Sequence, residues 1–121
     1  MISPQSFADL AGMALGDFAD KPTTLTEGQK EASNVLWTSA NGFTTLGVWE
    51  CMPGHFTADR TGGGEYCHIL AGRATVSNSD GSGAREIGAG DLLVLPRGWT
   101  GQWVIHEHMR KLFVIDTSPE S

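Results

Sequence analysis

The chain of 121 residues has room for one hydrophobic core, and its 40% apolar residues can fill one, which argues against two full domains. Sixteen glycines and four tryptophans, without alanine- or leucine-rich heptads, point to short strands joined by turns. A net charge of −6 with no Lys/Arg cluster argues against nucleic acid or an anionic membrane as partner and leaves small molecules or protein.

The first twenty residues lack a basic leader, and Asp9, Gly12, Gly16 and Asp17 interrupt their apolar positions. Neither a signal peptide nor a transmembrane span is encoded there, so a cytoplasmic protein is expected. Phe7, Leu10, Ala11, Ala14 and Phe18 fall at near-helical spacing and predict a short amphipathic helix after a Ser6 cap, weakened by the two glycines. Residues 20–31 read as a polar arm with Pro22 and Gly28, lying over the rest of the domain or onto a neighbour. The organisation expected is therefore a helix or arm over 1–33 and a β domain over 34–121.

From Asn34 onward the pattern is of strands, at 35–38, 44–51, 55–59, 65–70, 73–78, 84–87, 92–95, 101–105 and 111–116. The separators are turn chemistry: Asn41-Gly42, Pro53-Gly54, Gly62-Gly63-Gly64, Asp80-Gly81, Gly88-Ala89-Gly90 and Pro96-Arg97-Gly98. Strands at this spacing with no intervening helix suit a sandwich or barrel. Cys51 and Cys67 both lie in apolar strand-like runs and are expected as buried free thiols.

The segments GVWECMPGHFTADR (47–60), EYCHILAGRATV (65–76), SDGSG (79–83), GAGDLLVLPRGWTGQW (88–103) and RKLFVI (110–115) carry a family resemblance. With six residues between Glu65 and Gly72, and five between Gly90 and Pro96-Arg97-Gly98, they resemble the paired motifs of the cupin superfamily, in the small single-domain branch that shares its domain type with ureidoglycine aminohydrolase. The resemblance implies an all-β, RmlC-like double-stranded β-helix, or jelly-roll barrel, with a pocket at its mouth. In metal-binding cupins two alternate histidines, a glutamate and a later histidine hold the ion. Here those positions are Ala58, Arg60, Glu65 and Gly101. One carboxylate without imidazole does not make a tight transition-metal site, so neither a metal nor another cofactor is expected.

Strand parity turns Arg60 inward, within reach of Glu65. Arg60 can receive a carboxylate, phosphate or ureido oxygen, with Glu65 as orienter or general base; the two can equally be a buried pair that only fixes register. Trp49, Trp99 and Trp103 are candidate pocket walls or core rings, and Trp103 shares parity with Gly101, where its ring can turn into the vacated space. Cys67 shares parity with Glu65 and is a candidate pocket residue or a buried thiol. His68 is expected on the outer face, His55 has the wrong parity for a ligand, and His106-Glu107-His108 is expected in a turn before the last strand. No phosphate-cradling glycine motif and no nucleophile elbow occur.

Two functions follow. One is a cupin that binds a small polar metabolite without metal. The other is an enzyme resembling ureidoglycine aminohydrolase or a sugar isomerase, acting through Glu65 and Arg60 or through an unrecognised metal site. The outer positions Tyr66, His68 and Leu70, together with an apolar arm, predict a homodimer.

Overall fold

The computed structural model describes residues 1–119, and every regular element among them is a strand. The strands are β1 (Ala19–Asp20), β2 (Lys30–Thr38), β3 (Thr44–Cys51), β4 (Gly54–Asp59), β5 (Gly64–Asn78), β6 (Arg85–Gly88), β7 (Leu92–Leu95) and β8 (Thr100–Asp116). All pairings are antiparallel. The fold is all-β, as expected of a cupin jelly roll. No helix long and apolar enough to cross a membrane occurs among the described residues.

Two long strands organise the barrel. The C-terminal half of β8 lies between β3 and the first half of β5, and that half of β5 also pairs with β7. The N-terminal half of β8 lies between β4 and the second half of β5, which pairs with β6. The sheet thus folds back on itself and encloses one core. Period-2 alternation decides which side chains enter it: Cys67, Ile69, Ala74 and Val76 of β5 face Trp103, Ile105, Met109 and Phe113 of β8, with Trp49, Phe56, Leu93 and Leu95 completing the interior. Pro96-Arg97-Gly98 makes the turn its composition demands, with Gly98 at φ 94° and the Trp99 amide donating to the Pro96 carbonyl at 3.0 Å.

Three expectations are corrected. Residues 7–18 form no helix, only a turn at 10–12 in which Asp9 takes φ 54°. Gly12 and Gly16 each cost a helix about 1 kcal/mol, and a helix this short is marginal without packing. The backbone carbonyls of Leu10 and Met13 instead accept hydrogen bonds from Arg110 Nη1, at 2.9 and 2.7 Å. Secondly, the segments expected as separate strands at 65–70 and 73–78 are one strand, with register shifts between Ile69 and Ala74. Thirdly, His106-Glu107-His108 lies inside β8 rather than in a turn. These three side chains go to separate partners: His106 Nε2 meets Thr75 Oγ1 at 2.7 Å, Glu107 meets Arg73 at 3.6 Å and His108 meets Glu50 at 2.7 Å.

The N-terminal arm crosses the outer face beside β3 and β8. Asn34 Nδ2 contacts Met13 Sδ there, and Val48, between Asn34 and Leu112 in the register, is fully buried. Arg110 is the clamp, since its Nη2 also pairs with Glu50 Oε2 at 3.0 Å. Arg110→Ala is expected to leave the barrel folded, to cost about 1–3 kcal/mol and to speed amide exchange and proteolysis within residues 7–18. An arm that stays as protected as in the native protein shows that apolar packing alone holds it.

Candidate functional site

Glu65 opens the inward row of β5 and is almost wholly buried, at 2% exposure. Its Oε1 accepts from Arg60 Nε at 3.0 Å and lies 2.8 Å from Arg60 Nη2, while its Oε2 lies 3.1 Å from Lys111 Nζ. Arg60 follows β4 directly, and the Pro-x-Gly turn fixes its backbone: the Arg60 amide donates to the Trp99 carbonyl and the Gly98 amide to the Arg60 carbonyl, at 2.8 and 2.9 Å. Lys111 sits on the inner face of β8 between Trp49 of β3 and Ile69 of β5. Its ammonium lies 4.4 and 4.6 Å from the Trp49 and Trp103 ring centroids, where cation–π attraction offsets part of its desolvation.

A second ion pair faces this one. Glu31 of β2 accepts from Lys21 Nζ and from the Trp49 indole, both at 2.8 Å. The Lys21 ammonium lies 4.1 Å from the Phe56 ring centroid and 5.5 Å from that of Trp49. Phe56 and Trp103 stack at 5.8 Å with 15° between their planes. These groups, with Ser33, Phe113 and Ile115, line a cavity of about 180 Å³. A wider groove of about 490 Å³ beside Tyr66, Arg97 and Asp116 lies outside the barrel and holds no such cluster of buried charge.

The electrostatics follow from the pairing. Burial pushes the Glu65 carboxyl up, but Lys111 and Arg60, by charge and by hydrogen bonds, outweigh it and hold the pKa below the ordinary 4.5. Glu31 is also opposed by burial and held low by Lys21, the Trp49 indole and Lys111. Burial raises the Cys67 thiol to about 11, against the opposing charge of Lys111. The site therefore presents two carboxylates and three cations, with the protonated Cys67 thiol behind them.

Of the residues expected at the pocket, the structure brings Arg60, Glu65, Trp49 and Trp103 together. Cys67 is fully buried behind them and does not line the cavity. Trp99 lies elsewhere: its indole donates to Asn78 Oδ1 at 2.9 Å, and it lines a separate groove with Val76, Leu95 and Pro96. It is Trp99, not Trp103, whose ring covers the space beside Gly101. Lys111, Lys21, Glu31, Phe56 and Phe113 were not anticipated. Lys111 had a signal, because it occupies an inward position in the alternating run 110–115, where only a partnered charge can be buried. Lys21 and Glu31 had none of their own, since the polar arm over 20–31 reads as lying over the barrel or onto a neighbour without pointing any one side chain into the cavity.

The residues present do not fit the metal that cupins commonly hold. Ala58 and Gly101 are register partners, and neither offers a donor side chain. A Cβ at Gly101 would collide with the Trp99 ring and the Ser77 carbonyl, so this backbone accepts no ligand side chain there. Both Glu65 oxygens already face cations, which repel a further one. No cluster of three or more His, Cys, Asp or Glu that could hold an ion occurs among the described residues.

Fold and cavity together define a cupin barrel with a charged, aromatic-walled interior. Residues 38–113 match the EutQ-like cupin domain, and the chain belongs to that family. A DUF861-family protein of unknown function from Pseudomonas syringae pv. tomato superposes with a TM-score of 0.73 at 20% identity, over 87% of this chain and 45% of that one. The chain thus spans less than half of that protein. The Clostridium difficile EutQ protein superposes with a TM-score of 0.70 at 17% identity, over 89% and 83% of the two chains. A DUF861-family protein from Thermotoga maritima is 32% identical over 55% of this chain and 73% of its own, with a TM-score of 0.51. No curated protein matches the sequence.

Protein purified without a histidine tag is expected to carry far less than one equivalent of Mn, Fe, Ni or Zn by elemental analysis; a full equivalent that Glu65→Ala abolishes contradicts this. Glu65→Gln is expected to destabilise the barrel by about 3–5 kcal/mol, because it leaves Lys111 buried without its counter-charge. With its pKa lowered on folding, Glu65 contributes its full stabilisation above the ordinary 4.5 and loses it as pH falls through the folded value. The gap in melting temperature between native and Glu65→Gln proteins is therefore constant at neutral pH and narrows in acid, which a pH series of thermal melts checks.

Proposed function

We propose that this EutQ-like cupin domain binds a compact polar metabolite in the barrel mouth, held by side chains rather than through a metal. The observation that carries this is the Arg60–Glu65–Lys111 cluster at the wall of an aromatic-lined cavity, with Arg60 28% exposed toward the opening while Glu65 and Lys111 are buried. Arg60 has five N–H groups. Three are engaged, two on Glu65 and one on the Asp59 carbonyl, and the others remain for a ligand. Hydrocarbon over these charges is costly, which selects ligands that return hydrogen bonds. About 180 Å³ is small beside the roughly 300–1,000 Å³ of drug-sized pockets, so the ligand has few heavy atoms.

Catalysis of the ureidoglycine aminohydrolase or sugar-isomerase kind has less support from the site. A carboxylate held at low pKa by two cations is a weak general base, and neither oxygen is free to approach a substrate proton. Binding is accordingly the better reading of Glu65, with the carboxylate as orienter of Arg60 and Lys111.

Intrinsic Trp fluorescence and thermal shift across ureido acids, sugar acids and fatty acids are expected to give hits among the small polar compounds and none among the fatty acids. Arg60→Ala is expected to abolish binding of the anionic hits and leave the fold intact. If Arg60→Ala unfolds the protein while nothing in the panel shifts the native melting temperature, the charged cluster is purely structural.

A further inference from the structure

The N-terminal segment does more than cover the barrel. Lys21 and Glu31 lie outside the residues that match the cupin family, 38–113, yet both reach the cavity wall. The chain between them is strapped to β4: the Thr57 amide donates to the Thr23 carbonyl at 3.1 Å, the Leu25 amide to the His55 carbonyl at 2.7 Å, and the His55 amide to Thr26 Oγ1 at 2.9 Å. Gln29, 1% exposed, locks the strap from inside by donating to the Met52 carbonyl and accepting from Thr24 Oγ1, at 3.0 and 2.6 Å. The Lys21 amide donates in turn to the Gln29 carbonyl at 3.1 Å. Lys21 is therefore held in one place before any ligand arrives.

Its charge changes the balance of the cavity. Among the lining side chains Arg60 and Lys111 match Glu31 and Glu65 one for one, and Lys21 adds a single positive charge beyond neutrality. That excess sits within a low-dielectric enclosure of Trp49, Phe56, Trp103 and Phe113, where one uncompensated charge acts strongly on whatever enters. Lys21 spends one N–H on Glu31 and Lys111 one on Glu65, which leaves both ammonium groups with N–H groups to offer.

Resting on the pocket reading above, we infer that Lys21 is a specificity-determining residue that makes this cavity select a compact monoanion over its neutral isostere. A monoanion brings the enclosed charge to zero, while a neutral ligand leaves it in excess and a dianion reverses it. The strap thereby sets the ligand's charge, and the family-matched barrel supplies the walls and the Glu65 cluster.

Two substitutions vary the charge with little change of shape. Lys21→Met keeps the alkyl stem and makes the cavity neutral, Glu31→Gln raises its charge to two, and the double variant restores one. Calorimetric titration with lactate and lactamide, and with glycolate and glycolamide, reads the anion-to-amide affinity ratio in all four proteins, with thermal melts as the check of folding. The native ratio is expected to favour the anion by about tenfold or more. It is expected to collapse toward unity in Lys21→Met, to rise in Glu31→Gln and to return to the native value in the double variant. A ratio unchanged by Lys21→Met, or lost in Lys21→Met and not recovered in the double variant, overturns the charge-balance role while the pocket itself stands. If the native protein takes up no member of either pair, the pocket reading fails and the role of Lys21 fails with it.

Discussion

A carboxylate removed from water must be compensated where it lies, and Glu65 is compensated from two directions by residues far apart in the chain. Arg60 arrives at the end of β4 and Lys111 from the middle of β8, so the ion cluster ties three strands to one point inside the barrel. The tie depends most on Glu65, because its loss leaves Lys111 buried without a counter-charge, whereas loss of the partly exposed Arg60 leaves Glu65 and Lys111 paired. Trp49 links this cluster to the second pair, with its ring beside Lys111 and its indole nitrogen on Glu31. The interior is thus a polar network roofed by aromatic rings, every buried side-chain nitrogen and oxygen among the described residues having a hydrogen-bond partner.

An ammonium and a guanidinium beside Glu65 differ in kind from an ion coordinated by histidines. They supply charge and directed N–H groups, but they neither activate a bound water nor change oxidation state. Of the positions Ala58, Arg60 and Gly101 only Arg60 carries a polar side chain, and it brings a fixed positive charge rather than a metal ligand. The lowered pKa values at Glu65 and Glu31 accord with this pairing: a carboxylate that holds cations in place serves best when it stays ionised.

Much of the barrel was legible because its strands obey a simple rule of alternation and its turns carry obligate residues. The run 44–51 and the Pro-x-Gly turn follow from period and spacing, and the setting of Arg60 and Glu65 at the pocket is what the cupin resemblance implies. Reading failed where alternation fails. At His106, Glu107 and His108 all three side chains are exposed, so nothing in the pattern distinguishes a bending strand from a turn. Residues 7–18 have helical spacing, yet their carbonyls are claimed by Arg110, a partner almost a hundred residues away. Lys21 and Glu31 read only as part of a polar arm because their burial comes from Phe56 and Trp49, which no local pattern associates with them. Trp99 and Trp103 are four residues apart, and which ring covers Gly101 depends on the turn geometry between them.

The position of β8 has a consequence for how the protein is made. β3, β4 and β5 all pair with it, and β3 and β4 are each joined to the long β5–β8 ribbon only through it. A nascent chain that has emerged as far as β7 therefore displays Trp49, Phe56 and Cys67 with no surface to close against. At about 5–20 residues per second of synthesis, β8 follows β7 within seconds, and the barrel cannot close before it is present. Between the emergence of β3 and that of β8, the chain is an open half-sheet with free edges, the state in which it is most exposed to chaperones and to pairing with its own copies.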